Sequence, residues 1–217
     1  MRQRLEGVFV LSKKRLCFSK LGMGKFISHL DLLRAFTRAV LRAELPVRYT
    51  QGFNPHQIMT FALPLPIGVT SSAEFVDIDF EETVSAEEIR ERLNENLPPD
   101  IRILWVAEPW YKASKIVAAR YEVTLCGERV NLARIEEFFG QKEIIVMRRT
   151  KKKGEQPANL VEFVRNAEVR AESAECVKLF LTVDAGNERN LKPALLTDAL
   201  EEFVKPSAFD TVQIHRT

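Results

Sequence analysis

The sequence predicts an α+β fold made of two ferredoxin-like β-α-β-β-α-β sandwiches in tandem. Two observations predict it. The hydrophobic pattern alternates between a period of two, typical of strands, and a period of three to four, typical of helices. The same order of strands and helices occurs twice along the 217 residues, although the residues themselves are not repeated. Each sandwich is expected to pack two helices on one face of an antiparallel sheet.

The first half opens with a predicted strand over residues 15–20, followed by a helix. Apolar residues then recur at intervals of three and four, at Leu30, Leu33, Phe36, Val40 and Leu41. Ser28 followed three residues later by Asp31 resembles a capping box with Asp in the place of Glu. The helix is therefore predicted to begin at Ser28 and to end before Pro46, because proline cannot continue a helix.

The remaining elements of the first half follow from the same signals. They are extended segments over 47–50 and 58–63, a strand over 74–80, a helix and a strand over 101–106. Apolar residues occupy alternate positions from Val76 to Phe80, as in a half-buried strand. Ser85 and Glu88 form a complete capping box, which predicts where the second helix begins.

The second half repeats this order after a plausible linker. Its predicted elements are a strand over 120–126, a helix over 131–139, strands over 143–149 and 177–184, a helix over 191–204 and a strand over 211–214. Residues 159–170 fit less well and are interpreted as a short helix followed by an irregular strand. The predicted division is an N-terminal extension over 1–14, a first half over 15–108, a linker over 109–118 and a second half over 119–217.

Composition excludes some classes of protein. A net charge of +2 does not require a polyanionic partner. No apolar run approaches the roughly 20 residues that span a bilayer, and the N-terminus lacks a secretory signal pattern, so a cytoplasmic protein is expected. Cys17, Cys126 and Cys176 are widely spaced and odd in number. They are predicted to be buried or half-buried thiols, with neither a disulfide framework nor a zinc cluster.

Two of the three histidines flank the most unusual sequence in the chain. The candidate ligand-binding residues are Ser28, His29, Asp31, Gln51, Asn54 and His56. The free N–H groups and the dipole at a helix N-terminus favour a phosphate, which polar side chains from the later turn would orient. The alternative is that these residues only cap a helix, shape a turn and lie on the surface. No metal is assigned, because two imidazoles and one carboxylate at these separations form no spacing signature.

Positive side chains supply a second set of candidates, for nucleic acid. They are Arg34 and Arg38 on the first helix, and Arg148, Arg149, Lys151 and Lys152 where a predicted strand enters a hairpin. Clustered cations are the electrostatic signature of nucleic-acid binding. Solvated helix faces and basic hairpin tips that aid solubility produce the same pattern, and both interpretations stay open.

Familiar catalytic and cofactor signatures are absent. Gly22-Met23-Gly24 lacks the third glycine and the strand-to-helix context of a dinucleotide site. There is no nucleophile elbow and no cysteine triplet that holds the iron–sulfur cluster of a radical enzyme. No cofactor is therefore predicted, and whether the protein is an enzyme is left open.

Four segments carry a family resemblance. They are FISHLDLLR at 26–34, Leu45-Pro46, QGFNPH at 51–56 and FALPLPIGV at 61–69. The chain from about residue 15 onward closely resembles the radical SAM-linked protein family of unknown function, also known as DUF2344. Members of that family are found beside, or fused to, a cobalamin-binding radical SAM protein. The resemblance implies a partner and gives no catalytic role to any residue.

These observations lead to one main hypothesis and two alternatives. The main hypothesis is an accessory module that binds a phosphate-bearing ligand, RNA in preference to a small molecule, for a radical SAM partner. Paired ferredoxin-like units also form the CRISPR repeat-processing endoribonucleases, which makes RNA a reasonable ligand by fold analogy. The alternatives are an enzyme acting on RNA or a nucleotide with a histidine as general acid and base, and a purely structural adaptor.

Overall fold

The computed structural model describes residues 12–128, 130–150, 154–186, 188–204 and 209–217, without the side chains of residues 149 and 150. The chain divides into two compact units, Met1–Ala113 and Ser114–Thr217. This boundary lies inside the predicted linker. The described residues form a mixed α+β structure with four α-helices and antiparallel strand pairing. No helix in this described part of the chain combines the length and the apolar character that crossing a membrane requires.

The described residues of the first unit form four strands and two α-helices. They are β1 (Ser12–Lys20), α1 (His29–Arg42), β2 (Met59–Phe61), β3 (Thr70–Phe80), α2 (Ala86–Asn96) and β4 (Ile101–Ala107). β1 pairs with β4 on one side and with β3 on the other, and β2 pairs with β3. β1 begins three residues before the predicted strand, and the rest of the predicted N-terminal extension, residues 1–11, lies outside the described residues.

Both helices of the first unit begin where their caps predict. The Ser28 hydroxyl accepts a hydrogen bond from the backbone N–H of Asp31 at 3.2 Å. The Ser85 hydroxyl accepts one from the N–H of Glu88 at 3.1 Å. Each bond satisfies one of the N–H groups that a helix start leaves without an intrahelical partner.

The core of the first unit lies between the sheet and the two helices. It includes Leu16 and Phe18 from β1, Val76, Ile78 and Phe80 from β3, Ile101 and Ile103 from β4, Leu32, Phe36, Ala39 and Val40 from α1, and Ile89 and Leu93 from α2. The apolar face predicted for β3 is confirmed, because its three residues in this core are completely buried. The apolar residues that alternate along the strands thus pack against the apolar residues that recur every three to four positions along the helices.

The second unit has a four-stranded sheet and a separate hairpin. Its elements are β5 (Ala118–Cys126), α3 (Leu132–Phe139), β6 (Ile145–Thr150), β7 (Gly154–Asn159), β8 (Val164–Ala171), β9 (Cys176–Asp184), α4 (Pro193–Val204) and β10 (Thr211–Arg216). The sheet order is β10-β5-β9-β8, and β6 and β7 form a two-stranded sheet of their own in the described part of the unit. In position within its unit, β8 corresponds to β2.

The strand predicted over 143–149 is expected to lie in the sheet of the second half, and this prediction is wrong. The structure places it in the β6–β7 hairpin, where Ile145 and Met147 are 58% and 60% exposed. The short helix followed by a strand predicted over 159–170 is confirmed as a 3-10 helix at Leu160–Phe163 and β8. The sheet position beside β9 is taken by β8, whose residues pair with it from Val164 to Ala171.

The prediction of three free thiols is wrong for two of them. Cys126 and Cys176 lie directly opposite each other on β5 and β9 and form a disulfide bond. Cys17 is a buried thiol, as predicted, and burial followed by the charge of Glu74 raises its pKa to about 11. The strand register, which brings together two cysteines 50 residues apart, cannot be deduced from their spacing.

Candidate functional site

The first turn of α1 already contains a negative charge. The Asp31 carboxylate accepts hydrogen bonds from the Ser28 hydroxyl at 2.7 Å and from the Arg34 guanidinium at 2.9 Å. These contacts, that of Ser28 first, lower the pKa of Asp31. A carboxylate here complements the positive end of the helix dipole. A phosphate bound at this helix start would therefore lie beside Asp31 and would be repelled by it.

His29 lies at the edge of the core of the first unit. Its exposed imidazole contacts the Phe61 ring edge to face, with 5.4 Å between the ring centroids. Phe61 in turn contacts the rings of Phe18 and Phe36. The position of the imidazole is thus set by aromatic packing between α1 and β2.

A buried lysine, which sequence reasoning missed, anchors the chain just before Ser28. The Lys20 side chain is 1% exposed, and its ammonium donates a hydrogen bond to the carbonyl of Ile27 at 2.8 Å. A signal was present, since Lys20 has the same parity along β1 as the core residues Leu16 and Phe18. A strand residue of that parity points toward the helices.

Replacing Lys20 with methionine is expected to lower the free energy of unfolding by about 1–3 kcal/mol, because the Ile27 carbonyl loses its buried donor. Urea unfolding measures the change. The matched control is Lys13→Met on the same strand, whose side chain is 51% exposed and pairs with Asp79. That control is expected to stay within about 0.5 kcal/mol of the natural protein. Equal effects of the two substitutions would contradict an anchoring role for Lys20.

The QGFNPH segment forms the exposed tip of a short hairpin. Tyr49 and Gln57 pair as an isolated antiparallel β-bridge, and the Thr50 N–H donates to the His56 carbonyl at 2.8 Å. The His56 imidazole lies 3.1 Å from the Thr50 hydroxyl. All six residues of the segment are exposed, and Phe53 at the tip has an exposure of 107%. The predicted turn therefore presents a bare aromatic ring to solvent.

The hairpin tip and the helix start form two separate surfaces. Gln57, which follows His56, donates from its side-chain amide to the carbonyl of Thr37 at 3.4 Å. His29 instead contacts Phe61, at the other end of the returning segment. Thr37 and His29 are eight residues apart on α1, a rise of about 12 Å. The structure therefore does not bring the two imidazoles together.

The candidate arginines on α1 are exposed, and one of them follows the residue that bonds to the hairpin base. Arg34 is engaged with Asp31 in the first turns of the helix. Arg38 directly follows Thr37, the residue to which the hairpin base is bonded. We therefore define the hairpin surface as Gln51, Phe53, Asn54, His56 and Arg38.

The basic hairpin of the second unit is described only in part. The Arg148 guanidinium donates to the carbonyl of Asn190 at 2.9 Å and lies 5.4 Å from the centre of the Phe163 ring. The side chain of Arg149 and residues Lys151 and Lys152 lie outside the described residues. Across the described ranges, no group of three or more His, Cys, Asp or Glu side chains is arranged to hold a metal ion.

Fold and site together define an α+β protein whose candidate binding groups are surface residues. The chain belongs to the family described as "Uncharacterized protein conserved in bacteria (DUF2344)", whose model matches residues 13–193. The predicted membership of DUF2344 is thereby confirmed, whereas the link to a radical SAM protein stays a prediction.

Two solved structures show a more distant likeness. A chain of the crystal structure of a Cbf5-Nop10-Gar1 complex is 11% identical with a TM-score of 0.52, and the match covers 94% of this chain and 48% of that one. This protein therefore spans about half the length of that chain, and the likeness shows the fold alone. An unknown protein from Galdieria sulphuraria is 12% identical over 95% and 97% of the two chains, with a TM-score of 0.27. No curated protein matches.

Proposed function

We propose that this protein is an accessory module that binds single-stranded RNA through the hairpin surface and acts with a radical SAM partner. The observation that carries the proposal is the fully exposed Phe53 ring at the tip of an ordered hairpin, flanked by Gln51, Asn54 and His56. Removing a large aromatic side chain from water is favourable, so a bare ring at a loop tip suits a binding partner.

The chemistry of the hairpin surface matches that of unstacked bases. An aromatic ring stacks on a base, and amide groups bond to the edges of single-stranded bases. The Arg38 guanidinium supplies a positive charge for the phosphate backbone. The start of α1 would then contact only the edge of the bound RNA, because the Asp31 carboxylate repels phosphates there.

We also infer that each unit is a ferredoxin-like sandwich. The first unit has the element order β-α-β-β-α-β and the neighbour order β4-β1-β3-β2. The second has the order β10-β5-β9-β8, so its strands take corresponding places once the β6–β7 hairpin is treated as an insertion. The basic residues would then lie on an element added to the repeated unit.

The start of α1 forms a second surface, and its exposed apolar residues favour a role as an adaptor that binds another protein. Met23, Phe26, Leu30 and Ile67 are 70%, 55%, 62% and 63% exposed. The Gly68 N–H donates to the Lys25 carbonyl at 2.8 Å, which ties the segment before α1 to the loop that carries Ile67. The radical SAM partner would dock on this apolar surface and leave the hairpin free for RNA. Neither role requires the two histidines to act as an acid and base pair.

Replacing Phe53 with alanine is expected to weaken binding of a fluorescein-labelled 12-nucleotide RNA about tenfold, since stacking contributes roughly 1–3 kcal/mol per base. Fluorescence anisotropy measures the affinity. Phe26→Ala is the matched control, because Phe26 is also an exposed ring but lies outside the hairpin surface.

A salt titration tests the role of charge in the same complex. Arg38→Gln is expected to make the plot of log affinity against log salt concentration less steep, by the amount that corresponds to the loss of about one phosphate contact. The control is Arg120→Gln, a change at an exposed arginine on β5. Unchanged RNA affinity in Phe53→Ala, or equal losses in Phe53→Ala and Phe26→Ala, would remove the hairpin surface from the proposal.

A further inference from the structure

We propose that the second unit contains a separate binding pocket for a phosphate monoester, distinct from the hairpin surface. The pocket has a volume of about 510 Å³ and is lined by side chains that include Ser114, Lys115, Arg165, Glu188 and Arg189. Its size is in the range of pockets that hold small molecules. Sequence reasoning did not single out these residues, because they come from three separate places in the chain.

A buried carboxylate sets the positions of the two arginines. Asp184, at the end of β9, is 5% exposed. One of its oxygens accepts from Nε of Arg165 at 2.7 Å, and the other accepts from Nε of Arg189 at 2.6 Å. Arg165 and then Arg189 lower the pKa of Asp184, so the carboxylate stays ionised at neutral pH. The pair is thus fixed before any ligand binds, which reduces the entropy lost on binding.

Both guanidinium groups keep a donor for a ligand. One terminal nitrogen of Arg165 donates to the carbonyl of Val117, and one of Arg189 donates to the carbonyl of Glu162. Among the described residues, the other terminal nitrogen of each group has no hydrogen-bond partner. The side chains of Arg165 and Arg189 are 48% and 52% exposed. Lys115 and the hydroxyl of Ser114 line the same pocket.

The Phe163 ring contacts two guanidinium groups, one that lines the pocket and one outside it. Phe163 lies 4.7 Å below the guanidinium of Arg189 and 5.4 Å from that of Arg148. Three cations, Lys115, Arg165 and Arg189, line the pocket, together with the carboxylate of Glu188, and Asp184 bridges the two arginines. These described groups have a surplus of one positive charge. A phosphate monoester carries close to two negative charges at neutral pH and suits a positively charged pocket.

Glycine is required where the pocket wall forms. Gly186 has a φ of 153°, and a Cβ there would lie 2.4 Å from the carbonyl oxygen of Ile116. The segment after β9 therefore runs against the segment before β5, and the Ala185 N–H bonds to the Val117 carbonyl at 3.1 Å. This close backbone approach places Lys115 and Arg189 around one opening.

Calorimetric titration of the full chain with adenosine 5′-monophosphate tests the pocket, with adenosine as the ligand that lacks the phosphate. Binding of the monophosphate without binding of adenosine is expected. Lys115→Gln should weaken binding at least threefold and Arg189→Gln at least tenfold, whereas Glu188→Gln should tighten it. Misfolding cannot produce the gain in Glu188→Gln, so that variant separates a binding role from a structural one.

Two control variants match the test variants. Lys112→Gln removes an exposed lysine three residues before Lys115. Arg170→Gln removes an exposed arginine that also pairs with a carboxylate, Glu168, and lies over a phenylalanine ring, Phe180. Both are expected to bind like the natural protein. Equal binding of adenosine and its monophosphate, or equal affinity in Lys115→Gln and Lys112→Gln, would overturn the proposal.

Binding of RNA with and without a 5′-phosphate shows whether the phosphate monoester belongs to an RNA end or to a free nucleotide. A 12-nucleotide RNA with a 5′-phosphate that binds at least fivefold more tightly than its 5′-hydroxyl form, with the preference lost in Arg189→Gln, identifies an RNA end. Equal binding of the two RNAs, together with binding of the monophosphate, identifies a free nucleotide. Phe53→Ala is expected to leave binding of the monophosphate unchanged, so failure of the hairpin proposal and failure of the pocket proposal are distinguishable.

Discussion

Replacing Phe36 with alanine is expected to lower the free energy of unfolding by about 3–5 kcal/mol, the usual cost of truncating a buried phenylalanine. Phe36 on α1 is completely buried. Its ring centroid lies 5.0 Å from that of Phe18 on β1 and 5.3 Å from that of Phe61 on β2. The substitution therefore opens a cavity where the helix meets the sheet, and it removes two aromatic contacts.

Urea unfolding followed by circular dichroism measures this loss. Phe53→Ala is the matched control, since its ring is fully exposed and its removal is expected to change stability by less than about 0.5 kcal/mol. The His29 imidazole signal in an NMR spectrum should also shift in Phe36→Ala, because Phe61 touches both rings. A loss below about 1 kcal/mol would contradict the packing described for the first unit.

Removing the Cys126–Cys176 disulfide is expected to destabilise the protein by about 2–4 kcal/mol. The bond closes a loop with a sequence separation of 50 residues, so it restricts the unfolded chain considerably more than it restricts the paired strands β5 and β9. The variant is Cys126→Ser with Cys176→Ser, in which neither cysteine is left as an unpaired thiol.

Unfolding in urea with and without dithiothreitol tests the disulfide. The natural protein is expected to lose stability in the reductant, and the double serine variant is expected to be insensitive to it. Cys17→Ser is the control, because Cys17 is a free thiol and its removal leaves the response to reductant in place. Identical midpoints of the natural protein in both conditions, with thiol titration counting three free cysteines, would show that the bond does not form.

The sequence by itself determined the elements that depend on neighbours in the chain. The starts of α1 and α2 follow from Ser28 and Ser85, whose hydroxyls bond to N–H groups three residues later. The apolar face of β3 follows from alternation, and the turn at 51–56 follows from Gly, Asn and Pro. These signals are local, so propensity and periodicity report them directly. The family resemblance is also a property of contiguous segments.

Only the tertiary structure decided which distant residues meet. Strand register pairs Cys126 with Cys176 and places β8 rather than β6 beside β9. The separation of His29 from His56 and the bridge from Asp184 to two arginines depend on how helices and loops pack on the sheets. Loop closure and packing involve residues far apart in the chain, and a pattern of neighbours contains no information about them. The physical reason is that hydrophobic burial is non-directional, whereas the sites are formed by specific polar contacts between residues that the packed core brings together.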